Sequence, residues 1–350
     1  MASCFPLRTL IAVAAMTVSV GAGTGPTRPD YRFTDAHLHF VDYFQESEGM
    51  DALFEAMDEA RVDHAMLSGM AVKKKWAASE PQKPEYVFGD DAGVYWYGLT
   101  DVIVARAVSE LPAARRARLH PFISGFNPTD KNAVEHVRRM LEWYPGLWQG
   151  IGEVITRHDD LTALIDGEPP RASHAALDPV YTLAAEHGLP VLVHSNITSV
   201  RIRKPLYLEE LESALAKHPR TRFIWAHAGT SAEVNRRIDL KFLDKEVERL
   251  LGAYPNLWID LSWSVLDDYL LDGDEDVNRH WIEIIERHPE RFMLGSDLLG
   301  RFGNMPKKFH AYRALLDALS PECARLVARD NFLSILPDPS RGPDDMHAAE

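Results

Sequence analysis

The chain has 350 residues, with 38 Lys and Arg against 52 Asp and Glu, which gives a formal net charge of −14. This acidity argues against a nucleic-acid partner, because such binding draws its affinity from Lys and Arg that neutralise phosphates. The two cysteines, Cys4 and Cys323, are too few for a disulfide framework or a cysteine-rich zinc site. Beyond the N-terminus no apolar run reaches about 18 residues, so we expect no membrane span in the mature protein.

The N-terminus has the pattern of a secretory signal. Arg8 precedes an apolar stretch over 10–20, and small residues follow that stretch. A charged region, a short apolar region and a small-residue exit are typical of a cleaved signal peptide. The sequence therefore predicts a signal peptide over 1–22, a linker over 23–30 and export to the periplasm or the medium. A leader without this role, on a cytoplasmic protein, is the alternative.

Between residues 31 and 337, short apolar runs alternate with helical patterns. The runs lack a regular polar alternation, which is typical of strands buried on both faces of a parallel sheet. Eight of them are predicted strands: 31–35, 64–70, 121–126, 148–155, 190–194, 222–227, 257–261 and 292–297. The helical patterns between them include Met50–Ala60, 133–144, 208–218, 277–288 and 308–319. Eight strands followed by helices predict one α/β domain, a (β/α)8 TIM barrel.

A weak internal repeat supports this count. Several helical patterns end in an aromatic residue or histidine followed by proline or glycine, which stops the helix before the next strand. Polar residues close five strands at spacings of 41, 33, 33 and 37: Glu153, His194, His227, Asp260 and Asp297. A βα unit takes about 30 residues or more, so these residues are expected at the same height in the barrel.

Two insertions interrupt the repeat, residues 71–100 after the second strand and residues 157–178 after the fourth. Both follow strands and therefore lie on the C-terminal face of the barrel, where TIM-barrel active sites are built. We interpret them as loops that cover a substrate, with plain surface elaboration as the alternative. The tail, 338–350, contains Pro, Asp, Gly and Ser and is predicted to be flexible.

Two histidines at the end of the first strand carry the clearest chemical signal. His37 and His39 are two residues apart, so on a strand their imidazoles point to the same side and suit a divalent metal. His194, His227 and Asp297 each close another apolar strand. Burying these groups without a metal or strong pairing would be costly. The pattern therefore predicts a metal site at the C-terminal ends of the strands.

With these residues, the chain resembles the amidohydrolase superfamily, and within it the amidohydrolase-related family of metal-dependent TIM-barrel hydrolases and decarboxylases. The matching segments follow the family's order: Asp-Ala-His-Leu-His at 35–39, Gly-Glu at 152–153, Val-His at 193–194, Ala-His-Ala-Gly at 226–229 and Gly-Ser-Asp at 295–297. The resemblance implies that a divalent metal, usually zinc with manganese as an alternative, is bound by His37, His39, His194 and Asp297. It also implies that His227 contacts the substrate or the activated water.

Glu153 leaves the number of metals open. Many superfamily members with two metals have a carboxylated lysine at this strand end, some have a bridging glutamate, and members with one metal need no ligand there. We expect one metal, with Glu153 supporting the other ligands. The alternative is a second metal, for which Glu153 would be a ligand.

A metal held by neutral imidazoles and a carboxylate lowers the pKa of bound water to about 7. Asp297 is placed to accept the water proton and return it, and His227 to stabilise developing negative charge. The sequence thus predicts a hydrolase of a small ester, lactone or amide. Non-oxidative decarboxylation of an unsaturated or aromatic acid is the nearest alternative, and a noncatalytic metal- or ligand-binding barrel is the third.

Several residues beyond the strand ends are candidates for substrate binding. Arg157 and Arg301 could hold a carboxylate through two hydrogen bonds, Asn196 could orient the substrate, and Trp263 could form an aromatic wall. Packing and loop capping are their alternative roles. His158 and His174, in the second insertion, are weaker candidates of the same kind. The expected partner is a small molecule, and a homodimer is the default assembly because two-fold symmetry is the commonest.

Overall fold

The structure, a computed structural model, describes Met1 and residues 30–76, 93–158, 161–271 and 276–337. The chain divides into two units, Met1–Asp30 and Tyr31–Glu350, and every element given below belongs to the second. Apart from Met1 and Asp30, the predicted signal peptide and linker lie outside the described residues, as does the predicted tail. No helix of the described part combines the length and apolar character needed to cross a membrane.

Apolar runs form the strands of a central parallel sheet, as their lack of alternation predicts. In chain order the strands are β1 (Phe33–Asp35), β2 (Leu38–His39), β3 (Val62–Ser68), β4 (Val72–Lys74), β5 (Val94–Trp96), β6 (Leu119–Ile123), β7 (Gly150–Ile155), β8 (Val191–His194), β9 (Phe223–Trp225), β10 (Leu257–Asp260), β11 (Phe292–Met293) and β12 (Leu298–Leu299). The central sheet has the order β11-β10-β9-β8-β7-β6-β3-β2-β12, with β1 also paired to β3, while β4 and β5 form a separate antiparallel pair. Each of the eight predicted strands overlaps a strand of the central sheet.

The last predicted strand lies beside the first. It contains β11 and is followed directly by β12. These two strands stand at opposite ends of the sheet order, because β11 pairs with β10 and β12 pairs with β2, all in parallel. Between them the Ala36 N–H donates to the Leu294 carbonyl at 2.8 Å, and the Asp297 N–H donates to the His37 carbonyl at 2.8 Å. The arrangement is of the α/β TIM-barrel type, which confirms the predicted fold class.

Helices follow the strands and pack around the sheet. They are α1 (Met50–Ala60), α2 (Leu99–Ser109), α3 (Ala113–Arg116), α4 (Ala133–Trp143), α5 (Asp178–Glu186), α6 (Leu208–Lys217), α7 (Ala232–Arg237), α8 (Leu243–Ala253), α9 (Arg279–Arg287), α10 (Met305–Asp317), α11 (Pro321–Arg325) and α12 (Asn331–Ser334). All five predicted helices are present. Helix α10 begins three residues earlier than predicted, because Pro306 in its first turn needs no hydrogen-bond acceptor there.

The apolar core has two parts. The larger part lies between the sheet and the helices. The smaller part joins side chains from successive strands with two residues of the C-terminal segment: Ala36, Met66, Phe122, Leu192, Ile224, Ala226, Met293, Phe332 and Ile335. Because these strand residues alternate with those of the larger part, they fill the barrel interior, and Phe332 closes its N-terminal end.

The two insertions meet on the C-terminal face. The first contains the β4–β5 pair, and the second contains a short 3-10 helix, Thr162–Leu164. A parallel bridge joins Val94 of the first to Ile165 of the second. Each insertion therefore helps to hold the other beside the ends of the barrel strands.

Candidate metal centre

His37 and His39 come from a bend in the first strand. His37 lies between β1 and β2, His39 ends β2, and both side chains are buried. Their Nε2 atoms are 3.3 Å apart. Two ring nitrogens this close need a proton or a cation between them, because their lone pairs would otherwise face each other.

The outer nitrogen of each ring is already engaged. His39 Nδ1 is 2.9 Å from the Gly69 carbonyl oxygen and 3.0 Å from Ser68 Oγ. His37 Nδ1 is 2.8 Å from Asp260 Oδ2. Carbonyl and carboxylate oxygens only accept, so both Nδ1 atoms donate a proton, and it is the two Nε2 atoms that face the centre.

Glu153, in β7, lies among four imidazoles. Its carboxylate oxygens are 2.9 Å from His194 Nδ1, 3.5 Å from His39 Nε2, 3.6 Å from His227 Nε2 and 3.7 Å from His37 Nε2. The carboxylate is buried with them. Glu153 thus lies in the middle of the cluster, with its carboxylate facing all four imidazoles.

Asp297 faces the same centre from the eighth strand. Its oxygens lie 3.5 Å from His39 Nε2, 3.6 Å from His37 Nε2 and 3.8 Å from His227 Nε2. Asp297, His227 and Trp263 all have a left-handed backbone, with φ of 51°, 53° and 61°. Such conformations are uncommon outside glycine and cluster at functional sites, so the fold aims these three side chains at one place at some cost.

The charges of the cluster balance one another. Burial opposes protonation of His37, but the carboxylates of Asp297 and Glu153 outweigh it and hold the pKa of His37 well above its usual value. Burial also opposes protonation of His39, but hydrogen bonds to Asp297 and Glu153 outweigh it and raise the pKa of His39 to about 9. Burial in turn raises the pKa of both carboxyls, yet the imidazoles, His37 first, lower that of Asp297 to about 2 and that of Glu153 well below its usual range.

The donor set fits a divalent cation. Within two groups the possible ligand atoms lie within 4.8 Å of one another: His37, His39 and Asp297, and His37, Glu153 and His227. Imidazole nitrogens and carboxylate oxygens are the ligands that zinc takes. Two anionic carboxylates hold protons on nearby imidazoles, and a cation can replace those protons. One ring atom binds one cation, so His37 can serve only one of the groups at a time.

His194 has another environment. Its Nδ1 faces Glu153, and its Nε2 lies 3.0 Å from Asn196 Oδ1. It belongs to neither of the two groups of candidate ligands. Asn196, predicted to orient the substrate, therefore contacts the His194 ring through its side-chain oxygen. Its side-chain nitrogen donates to Ser231 Oγ at 3.4 Å.

The two predicted arginines lie away from the cavity lining. Arg157 donates to Glu210 from Nε at 2.8 Å and from Nη2 at 2.5 Å, and its guanidinium lies over the Tyr207 ring. Arg301 is exposed and borders a separate depression with acidic neighbours. His174 lies elsewhere too, with its Nε2 3.7 Å from Glu168.

A small cavity opens above the centre, with a volume of about 70 Å³. Its lining combines the polar floor with an apolar wall: His39, Tyr43, Met70, Glu153, His158, Leu161, His194, His227, Trp263, Asp297 and Leu299. Trp263 is the predicted aromatic wall residue that reaches it. His158 and Leu161 come from the second insertion, whereas the described residues of the first contribute none to this lining.

His158, only a weak candidate from the sequence, is a full part of the site. Its ring stacks on that of His194 with centroids 4.3 Å apart, and the Leu161 N–H donates to its Nδ1 at 3.3 Å. Burial, followed by the charge of His194, holds its pKa well below the usual value. Its position directly after Arg157 at the end of the fourth strand is the signal that favours it.

Asp260 and Ser262 are the residues whose role sequence reasoning missed. Both are buried, and Asp260 contacts His37 while Ser262 Oγ lies 2.8 Å from His227 Nδ1. The sequence places Asp260 near the end of the seventh predicted strand, 257–261, and Ser262 directly after that strand. A carboxylate at the same strand height as four candidate ligands was the available signal.

Fold and site together define a TIM-barrel protein with an imidazole–carboxylate centre at the C-terminal ends of its strands. The amidohydrolase family model matches residues 34–332, most of the chain, and the protein therefore belongs to this family. Members of the family are enzymes, hydrolases and decarboxylases among them. No curated protein sequence matches the chain.

Solved structures share the fold at low identity. An uncharacterized TIM-barrel protein from Bordetella bronchiseptica has a TM-score of 0.55 at 12% identity, over 89% of this chain and 100% of its own. An amidohydrolase II has a TM-score of 0.51 at 16% identity, over 87% and 99%. Dihydroorotase from Campylobacter jejuni has a TM-score of 0.50 at 16% identity, over 87% and 82%. At such identities the likeness shows the fold alone.

Proposed function

We propose that this protein is a metal-dependent hydrolase that cleaves an ester, lactone or amide bond in a small organic molecule. The observation that carries the proposal is the convergence of Glu153 and Asp297 with four imidazoles, three of which line the same small cavity as the two carboxylates. Membership of the amidohydrolase family agrees with this proposal, since the family includes hydrolases.

His37, His39 and Asp297 would hold one divalent cation, zinc or manganese, with Glu153 facing the same point. When bound, the cation supplies Lewis acidity, which polarises a carbonyl and acidifies a water. A further cation, if the protein binds two, would be held by Glu153 and His227, because His37 would already be bound to the first.

Asp297 is the residue suited to move the proton. Its low pKa keeps it ionised at neutral pH, and its half-buried side chain lines the cavity. The carboxylate accepts the proton that the attacking water loses and returns it to the leaving oxygen or nitrogen, as a general base and then a general acid. His227 Nε2, 3.8 Å from Asp297 Oδ2, is the second group within reach of that proton.

The wall of the cavity favours an uncharged substrate. None of the described lining residues is Lys or Arg. Arg157, the predicted carboxylate-binding residue, is paired with Glu210. A carboxylate substrate would bring its charge beside Glu153 and Asp297, and no Lys or Arg of the described lining would offset that repulsion. This arrangement favours hydrolysis of a neutral acyl compound over decarboxylation of an acid.

A substrate panel tests the proposal. The full chain, loaded with zinc or manganese, is incubated with esters, lactones and amides and, separately, with aromatic and unsaturated carboxylic acids. We expect hydrolysis that is abolished by chelation and reduced about 10²- to 10⁴-fold in Asp297→Asn, the usual contribution of a general acid–base. Release of CO₂ without hydrolysis would make the protein a decarboxylase, and metal binding with no product from either set would favour a noncatalytic barrel.

A further inference from the structure

We infer that Asp260 and Ser262 form one positioning element that holds the Nδ1 protons of His37 and His227 together and so directs both Nε2 atoms to the metal centre. The inference deepens the proposed function and rests on it only for the effect on metal affinity. Neither residue belongs to the candidate ligand groups, so their role is to act through the two imidazoles.

Asp260 is held by four hydrogen bonds. Its Oδ2 accepts from His37 Nδ1 at 2.8 Å, from Ser262 Oγ at 2.5 Å and from the His227 backbone N–H at 3.3 Å. Its Oδ1 accepts from the Ser262 backbone N–H at 2.9 Å. The side chain is 0% exposed. A buried carboxylate with this many donors is fixed in place, and it therefore fixes the His37 ring.

The direction of each hydrogen bond follows from the chemistry of the groups. A carboxylate has no proton to give, so the Ser262 hydroxyl donates to Asp260. That hydroxyl has a single proton, and towards His227 Nδ1, 2.8 Å away, it can only accept. His227 Nδ1 must then carry a proton.

The consequence for His227 is an unprotonated Nε2 when the ring is neutral. The free lone pair points to the space between Glu153 Oε1, 3.6 Å away, and Asp297 Oδ2, 3.8 Å away. The neutral ring is thus an acceptor or ligand, and it donates to a developing oxyanion only after gaining a proton at Nε2.

Packing leaves this element little freedom to shift. The rings of His37 and His227 stack at 4.7 Å with an angle of 15° between their planes. Gly295 lies against the same element: a Cβ added there would be 2.8 Å from the His37 Cβ and 2.9 Å from the Ser262 Cβ. The backbone of the eighth strand therefore packs directly against His37 and Ser262, and position 295 has room only for glycine.

Metal affinity provides the first test. Zinc affinity is measured by chelator competition for the wild type, Asp260→Asn, Ser262→Ala and the control Ser68→Ala, with folding checked by circular dichroism. Loss of a group that orients a ligand histidine typically weakens metal binding about 10- to 100-fold, which we expect for Asp260→Asn. Ser262→Ala should weaken zinc binding less, because His37 still donates to Asp260 in that variant. Ser68→Ala should bind zinc as tightly as the wild type, because His39 Nδ1 still donates to the Gly69 carbonyl.

The tautomer of His227 provides a second test, independent of metal and activity. In metal-free protein labelled with ¹⁵N-histidine, long-range ¹H–¹⁵N correlation spectra at neutral pH distinguish a proton on Nδ1 from one on Nε2, with His227→Gln used for assignment. We expect the Nδ1–H form in the wild type and a shift towards the Nε2–H form in Ser262→Ala, whose fold should be intact.

Either readout can overturn the inference. It is wrong if Asp260→Asn folds and binds zinc as tightly as the wild type, or if wild-type His227 carries its proton on Nε2. If Asp260→Asn fails to fold, the tautomer in Ser262→Ala decides. A wild type that binds no metal would remove the proposed function, and the tautomer measurement would still decide the role of Asp260 and Ser262.

Discussion

Two histidine pairs lie at opposite ends of the barrel with the same ring separation. The centroids of His37 and His39 are 5.2 Å apart at the C-terminal end, and those of His64 and His120 are 5.2 Å apart near the N-terminal ends of β3 and β6. Their protonation differs completely. The pKa of His39 is raised to about 9, whereas burial lowers that of His120 to about 4.

The neighbouring charges explain the difference. The C-terminal pair faces the carboxylates of Glu153 and Asp297, described above. For His64, burial and then the nearby guanidinium of Arg329 lower the pKa. His120 Nδ1 donates to Gln149 Oε1 at 2.7 Å, so its Nε2 accepts from His64 Nδ1 at 3.1 Å.

The comparison shows that ring proximity alone does not make a metal site. The N-terminal pair forms a neutral hydrogen-bonded chain in which each nitrogen between the rings has a defined role. The C-terminal pair has carboxylates that attract positive charge into the space between the rings. Carboxylates within about 4 Å, and not the distance between imidazoles, distinguish the two ends.

The largest expected effect is on bound metal. His37→Ala should abolish zinc binding, because His37 belongs to both groups of candidate ligands, whereas His64→Ala should keep full occupancy. Elemental analysis of the purified, zinc-loaded proteins gives the metal per chain. One zinc in the wild type would agree with a single cation, and two would make Glu153 a ligand of the second. Zinc lost equally in both variants would contradict the distinction between the two ends.

Much of this comparison could be anticipated from the sequence, because it depends on strand positions. Apolar runs identified all eight barrel strands, and the residues at their C-terminal ends were expected at one height. His64 is the first residue of the predicted strand 64–70, which places it at the opposite end. The strand bounds were less accurate: the run 292–297 contains a strand of only two residues, Phe292–Met293, because the chain beyond it leaves β10 to bond with the first strand.

The partners of individual side chains could not be predicted from the sequence. Arg157 follows a strand end as a substrate-binding residue would, yet it pairs with Glu210, 53 residues away. Asp260 contacts His37 across 223 residues. Such pairings depend on how the finished barrel packs, and no local spacing encodes them. The β4–β5 pair was missed for a related reason, since its partner strands are short and lie within an insertion.

The N-terminal pair predicts a stability that depends on pH. A folded-state pKa of about 4 against the ordinary 6.5 for His120 means that the unfolded chain takes up the proton first. The contribution of His120 to the free energy of unfolding is therefore fully present above pH 6.5. It is lost as the pH drops towards 4, by up to about 3 kcal/mol. Urea unfolding of the wild type and His120→Gln between pH 7 and 4 measures this. The difference between them should shrink or reverse as the pH falls, and parallel profiles would refute the assignment.

At the other end, packing behind the metal centre predicts a smaller loss. Gly295→Ala forces a Cβ to within 3.0 Å of the Cβ atoms of His37 and Ser262, and such overpacking typically costs about 1–3 kcal/mol. Gly303→Ala is the control, since nothing lies within 4 Å of a Cβ there. Thermal unfolding and zinc affinity are measured for both. Zinc affinity that is unchanged in Gly295→Ala, with stability lost, would show that His37 tolerates displacement.

Arg157 offers the smallest effect and separates substrate binding from structure. Its two hydrogen bonds to Glu210 join the loop after β7 to the first turn of α6. The pair is partly exposed, so breaking it should cost only about 1 kcal/mol. Arg157→Ala and Glu210→Ala should therefore destabilise the protein to a similar extent, and both should keep the KM of a neutral substrate. A large rise in KM in Arg157→Ala alone would show that the guanidinium turns from Glu210 to a substrate carboxylate. The cavity would then accept an acid after all, and decarboxylation would become the better explanation of the site.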